Sequence, residues 1–224
     1  MLRPLAATAL LLSGNLADAQ VRTIDQGSFT ITMNNQRIGR EDFSIVETAA
    51  PGGPSYLAKA TVEYRDRGVR LQPVLTANSA GASTQYELTV RGGPIQKWFG
   101  TINRNRVSAI VHSDRGQSAK EFVVSVGAMV LDDDVFHQYY FVAKSSGSAA
   151  VVVPQSGTQS TVTVTRSGRE RIELGMAQAD AEKIVVQGAG PAREVWVDAQ
   201  GRVLKVAIPS RGIVATRDEV PAGP

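Results

Sequence analysis

From Ser28 the chain alternates. Phe29, Ile31 and Met33 are apolar while Ser28, Thr30 and Thr32 are polar, the period of two that lays one face of a strand on a core and the other toward water. Tyr56, Ala58, Ala60, Val62 and Tyr64 repeat the pattern against Leu57, Lys59, Thr61 and Glu63. It returns at Tyr86, Leu88 and Val90, at Val107, Ala109 and Val111, at Phe122, Val124 and Val126, and at Val162 and Val164, and Ile95 to Ile102 reads as a short strand carrying Trp98 and Phe99. The connections are short and turn-rich: Asn34-Asn35-Gln36, Asp66-Arg67-Gly68, Asp114-Arg115-Gly116 and Ser167-Gly168. Asp198-Ala199-Gln200-Gly201, between Glu194–Val197 and Arg202–Ile208, reads as a type I turn closed by a glycine bulge. Connections this short force antiparallel neighbours. The pattern predicts an all-β, mainly antiparallel chain of roughly ten to twelve strands, too many for one flat open sheet. A strongly curled sheet or half-barrel with one or two short helices is the expected architecture.

One stretch departs from the alternation. Asp132-Asp133-Asp134 precedes Val135–Lys144. Aspartates suit a helix start and Lys144 a helix end, so a short helix is expected there, packed on the concave side of the sheet with Phe136, Tyr139, Tyr140 and Ala143 on one face. The same residues also permit a strand with Phe136, Tyr140 and Val142 on one side. A second short helix or loop is expected at Ala177 to Glu182, and long loops at Ala49 to Ser55 and Ser145 to Ala150.

The N-terminus has its own character. Arg3, the run Leu5–Leu12 and the small residues of Ala17-Asp18-Ala19 form a secretory signal, with the peptidase reading Ala17 and Ala19 and cleaving before Gln20. The apolar run is shorter than the about 20 residues a membrane span needs. The expected organisation is a cleaved segment 1–19, one antiparallel β domain over 20–220 and a loose tail at 221–224, with no transmembrane segment in the mature chain and a periplasmic or secreted location.

Composition narrows the chemistry. The 224 residues include no cysteine, which excludes disulfides, thiolate metal sites and cysteine nucleophiles. The formal net charge is +3, with basic residues interspersed among acidic ones, a mixed solvated surface rather than a nucleic-acid footprint. His137 with Asp132, Asp133 and Asp134 is the densest polar cluster, but His112 is the only other histidine. The aspartate run lacks the graded oxygen spacing and glycine of a calcium loop. These aspartates read as helix caps, and no metal or cofactor is expected. No serine stands in a nucleophile elbow, and no catalytic residue is assigned. Gly52-Gly53 and Gly92-Gly93 run into proline rather than a helix, so they are turns and not phosphate cradles. Trp98, Phe99, Phe136, Tyr140 and Phe141 are the candidate lining of an apolar ligand pocket, if they do not simply fill the core.

The C-terminal stretch Val195-Trp196-Val197-Asp198-Ala199-Gln200-Gly201-Arg202-Val203-Leu204-Lys205-Val206, with Pro209 and Gly212-Ile213-Val214-Ala215-Thr216-Arg217 after it, resembles a pattern in exported bacterial β-rich proteins of unknown function. Gly39-Arg40-Glu41-Asp42-Phe43 fits the same style of N-terminal strand pair. The resemblance implies a curled sheet shaped like the half-barrel of the periplasmic lipoprotein carriers (LolA-like) and brings no catalytic residues with it. The expected function is non-enzymatic binding or carriage of an apolar, lipid-like ligand. The alternatives are a cell-envelope interaction module with a filled core, meeting an envelope protein, and a hydrolase without a recognisable motif.

Overall fold

The computed structural model describes residues 21–49, 53–188 and 190–222. The expected signal segment, with Ala17, Ala19 and the cleavage point at Gln20, lies outside them. Fifteen strands form one sheet: β1 (Val21–Met33), β2 (Gln36–Thr48), β3 (Ser55–Tyr64), β4 (Val69–Ala77), β5 (Ser83–Arg91), β6 (Ile95–Asn103), β7 (Arg106–Ser113), β8 (Gly116–Val123), β9 (Met129–Val130), β10 (Gly147–Val153), β11 (Thr158–Leu174), β12 (Ala177–Gly188), β13 (Gly190–Val197), β14 (Val203–Ile208) and β15 (Ile213–Arg217). The helical turns are α1 (Tyr139–Val142) and a 3-10 turn at Pro209–Arg211. The strand order is β8-β7-β6-β5-β4-β3-β2-β1-β15-β14-β13-β12-β11-β10-β9. Every neighbouring pair is antiparallel except β9 with β10. Strands β1 and β15, the first and last among the described residues, therefore meet in the middle of the sheet, where Phe29 pairs Arg217 and Met33 pairs Ile213. The sheet curls until β9 lies against the start of β5: Ser83 N–H donates to the Ala128 carbonyl at 3.0 Å and Val130 N–H to Ser83 Oγ at 2.8 Å. No continuous ladder joins them, so the barrel is not closed.

The antiparallel half-barrel is as expected, and the strand count is higher. β4 carries Pro73 in mid-strand, which interrupts its ladder with β3 between the Lys59–Val74 and Val62–Leu71 pairs. Ala177 to Glu182, expected as a helix or loop, is instead the first half of β12. Its small and polar residues are held extended by pairing with β11, from Leu174–Ala177 to Arg169–Glu182. Ser167-Gly168 is not a turn: β11 runs through it with a bulge between Arg166 and Gly168, and Gly168 takes the left-handed φ of +109° that the bulge requires. The Asp198–Gly201 turn forms as read, with Asp198 N–H bonded to the Arg202 carbonyl and Gly201 N–H to the Asp198 carbonyl, both at 3.0 Å.

The concave face carries the main core, where alternate residues of each strand meet, as at Phe29 and Phe43, stacked 5.1 Å apart. Removing such apolar surface from water stabilises the fold by about 25 cal/mol per Å². The convex face holds a smaller core. The β11–β12 arm brings Ile172, Leu174 and Ala181 over Trp196, Leu204 and Ala207.

Candidate functional site: plug and mouth of the half-barrel

The departure from alternation at 128–143 is a plug. It runs along the length of β3, from Tyr64, whose hydroxyl donates to the Asp134 carbonyl at 3.1 Å, to Tyr56, whose ring lies 6.4 Å from that of Tyr140. The expected helix is real but short. It begins at Tyr139 with Gln138 as N-cap and no side-chain cap, so the three aspartates are not helix caps. The barrel wall answers them instead. Asp132 is fully buried and accepts the Tyr86 hydroxyl at 2.7 Å, while its own N–H donates to Gln138 Oε1 at 2.7 Å. Asp133 faces Arg193 at 3.3 Å and Asp134 faces Arg67 at 3.0 Å. Burial pushes the Asp132 carboxyl up to about 6, against the Tyr86 and Gln155 side chains, which favour its charged form.

Glu41, a residue the sequence reading did not single out, fastens the plug. Its carboxylate accepts Phe136 N–H at 2.7 Å and His137 N–H at 2.9 Å, and lies 2.6 Å from His137 Nδ1. Both side chains are wholly buried, and the His137 ring stacks on Phe43 at 5.9 Å. The available signal was Glu41's position: it shares the inward face of β2 with Gly39, Phe43 and Ile45. A charge on an apolar face requires a partner.

Of the five candidate lining residues, Trp98, Phe136, Tyr140 and Phe141 are buried on the concave side. Trp98 packs on Tyr86 at 5.7 Å, and Tyr140 meets Phe141 edge-on at 5.2 Å, with Tyr56 beside both. Phe99 alternates to the opposite face of β6, where it borders a shallow groove of about 230 Å³ with Ile110. The structure thus gathers Tyr140 and Phe141 at one end of the plug, leaves Trp98 against the wall and separates Phe99 from all four.

At the Tyr140 end the half-barrel opens. A bulge places Ile24 outside the β1–β2 ladder, between the Thr23–Val46 and Asp25–Ile45 pairs. Strict alternation back from Phe29 would set Arg22 on the convex face. The extra residue turns it inward, opposite Glu47, at 3.1 Å. Glu47 pairs in turn with Tyr56, so Arg22, Glu47 and Tyr56 form one row across three strands. Burial, then the negative charge of Glu47, raises the Tyr56 phenol above its usual range. Lys144, leaving the plug, donates to the Tyr140 hydroxyl and lies 3.9 Å from the centre of that ring. Burial lowers the Lys144 ammonium from its ordinary range and raises the Tyr140 phenol. With Ile24, Gln200 and Arg202 these residues line a cleft of about 540 Å³, within the about 300–1,000 Å³ of small-molecule sites. A second cleft of about 420 Å³ adjoins it through Thr23, Ile24 and Arg202. Its floor is the buried pair of Arg217 and Asp25, 2.8 Å apart. Burial raises the Asp25 carboxyl, opposed by Arg217.

Among solved structures, the fold is similar to a β-barrel-like protein of domain of unknown function DUF1849 from Brucella abortus, with a TM-score of 0.51 and 8% identity over 86% of this chain and 94% of that one. At that identity the likeness is one of fold: a β-rich, barrel-like architecture. No known protein family matches the chain, and no curated protein matches it. Among the described residues no helix is long and apolar enough to cross a membrane.

Proposed function

We propose that the protein is a non-catalytic binding protein of the bacterial envelope that takes an apolar, lipid-like ligand at the mouth of its half-barrel. The observation that carries this reading is the 540 Å³ cleft at the open end, where the half-buried Tyr56 and Ile24, with the buried Tyr140 behind them, stand beside three cations. The aromatic rings supply apolar area and the cations supply orientation, the division of labour common in ligand clefts. The interior is packed with the plug, so the ligand lies across the mouth and not within the sheet. The signal-like N-terminus supports export, and the half-barrel shape supports a carrier role. Mass spectrometry of molecules co-purifying with the natively exported protein tests the reading. Acyl-bearing species are expected in the protein fraction and absent after Tyr56→Asp. A protein free of apolar molecules that also fails to bind any alkyl ligand in titration would overturn it.

A second reading, an envelope interaction module with a filled core, is favoured by β8. This edge strand is exposed at every residue but the half-buried Phe122, and an extended segment of another protein could add to it. Lys120 shares a face with Phe122 toward the concave side, and a charge so placed discourages indiscriminate strand pairing. Cross-linking in the envelope that captures one partner through β8, with no co-purifying lipid, would select this reading.

A further inference from the structure

The three cations of the mouth are not equally answered. Arg22 holds Glu47 at 3.1 Å, and Arg202 holds Asp198 at 2.7 Å. Among the described residues Lys144 has no ion pair; its hydrogen bond goes to the Tyr140 hydroxyl, and its ammonium stands 3.9 Å from the Tyr140 ring centre and 5.3 Å from that of Tyr56. A phenol whose ionisation is suppressed by burial accepts a hydrogen bond but brings no countercharge. Glu47, the carboxylate whose charge reaches Lys144, is engaged by Arg22. An ammonium has three donors and Tyr140 takes one. What remains is a compact positive charge with free donors, exposed at the lip of a cleft walled by aromatic rings.

We infer that Lys144 anchors the acidic head of the ligand, donating to a carboxylate or phosphate oxygen, while the alkyl part lies against Tyr56 and Ile24. The inference rests on the reading of the mouth as the ligand site and adds the chemical class: an anionic amphiphile. A carboxylate source would be a free fatty acid, and a phosphate source a lipid headgroup or inorganic phosphate.

Calorimetric titration with dodecanoate, dodecyl phosphate, dodecanol and inorganic phosphate, each alkyl probe below its micellar concentration, separates the claims. Dodecanoate or dodecyl phosphate is expected to bind at least about tenfold tighter than dodecanol, a difference of about 1.4 kcal/mol, and the tighter of the two names the head. Lys144→Met keeps the unbranched apolar stem without the ammonium, and should bring the acidic probes down to the dodecanol affinity. Lys144→Arg should retain the preference. The melting temperature of each variant shows that it is folded. Equal binding of dodecanol and the acidic probes, or unchanged dodecanoate and dodecyl phosphate binding by Lys144→Met, overturns the anchor and leaves the mouth site standing. Inorganic phosphate binding that Lys144→Met abolishes, with no alkyl probe bound, upholds the anion site and overturns the lipid reading. Failure of all four probes overturns both.

Discussion

The interior of the half-barrel and its mouth share strands β1 to β3 and treat their polar groups in opposite ways. Inside, charge is answered completely at Glu41, whose carboxylate meets two backbone N–H groups and the His137 ring within 2.9 Å. Six residues further along β2 (41 to 47), Glu47 pairs with Arg22 in partial contact with water, and Lys144 has only a phenol. A buried charge without partners costs several kcal/mol, so polar groups inside the sheet are positioned by necessity. At the mouth, water lowers that cost, and side chains there are free to be chosen for what they bind. The contrast separates residues that hold the plug from residues that can serve a ligand.

Breaking the interior should have the largest effect. Glu41→Ala leaves three buried donors unanswered and should cost about 3–5 kcal/mol in urea unfolding. Glu41→Gln, which keeps an acceptor oxygen, should cost less. Trp98→Ala and Phe141→Ala test whether these rings are core: as packed side chains each should cost about 3–5 kcal/mol. A loss of stability under about 1 kcal/mol with weakened ligand binding would instead return them to a pocket lining.

Asp132 gives a smaller effect with a definite sign. Its folded value of about 6 stands above the 3.8 of a free carboxyl, so the folded state holds the proton more tightly. The stability from this group is full below about pH 4 and is lost as the pH rises through about 6. Asp132→Asn should flatten that decline and, at pH 7.5, be more stable than the native protein by on the order of 1–3 kcal/mol. Asp25, also raised by burial, contributes a slope of the same sign that this variant leaves in place. Thermal unfolding between pH 4 and 8 reads both, and a native stability that rises across this window would refute the assignment. The mouth should respond least: Arg22→Ala removes an ion pair whose arginine side chain is 69% exposed, and its effect on unfolding should stay below about 1 kcal/mol.

What was legible in the sequence follows the same division. Half-buried strands write their pattern plainly, because most inward residues are apolar and most outward ones are not; β1, β3, β5 and β7 were visible on that ground. β4 was hidden by Pro73 and β12 by the run Ala177–Glu182, each extended through pairing with neighbours rather than by its own propensity. The plug was visible as a break in period and as a cluster of rings. Its fastening was not, since Glu41 and His137 are 96 positions apart and their meeting is decided by how the sheet curls. The mouth was hidden for a further reason. The bulge at Ile24 reverses the parity of Arg22, and a simple count of alternation assigns that side chain to the wrong face.

The pairing of β1 with β15 also sets an order in time. On the ribosome β1 to β8 can zip together one hairpin after another as they emerge, since each pairs with its predecessor. The outer edge of β1 has no such neighbour. It must wait for Ile213–Arg217, whose Arg217 follows its partner Phe29 by 188 positions (217 − 29), and until then a strand destined for the centre of the sheet is an open edge. For a chain that crosses a membrane before folding, delay until β15 arrives removes this exposure; for one folding during synthesis, β1 is the segment most in need of a chaperone.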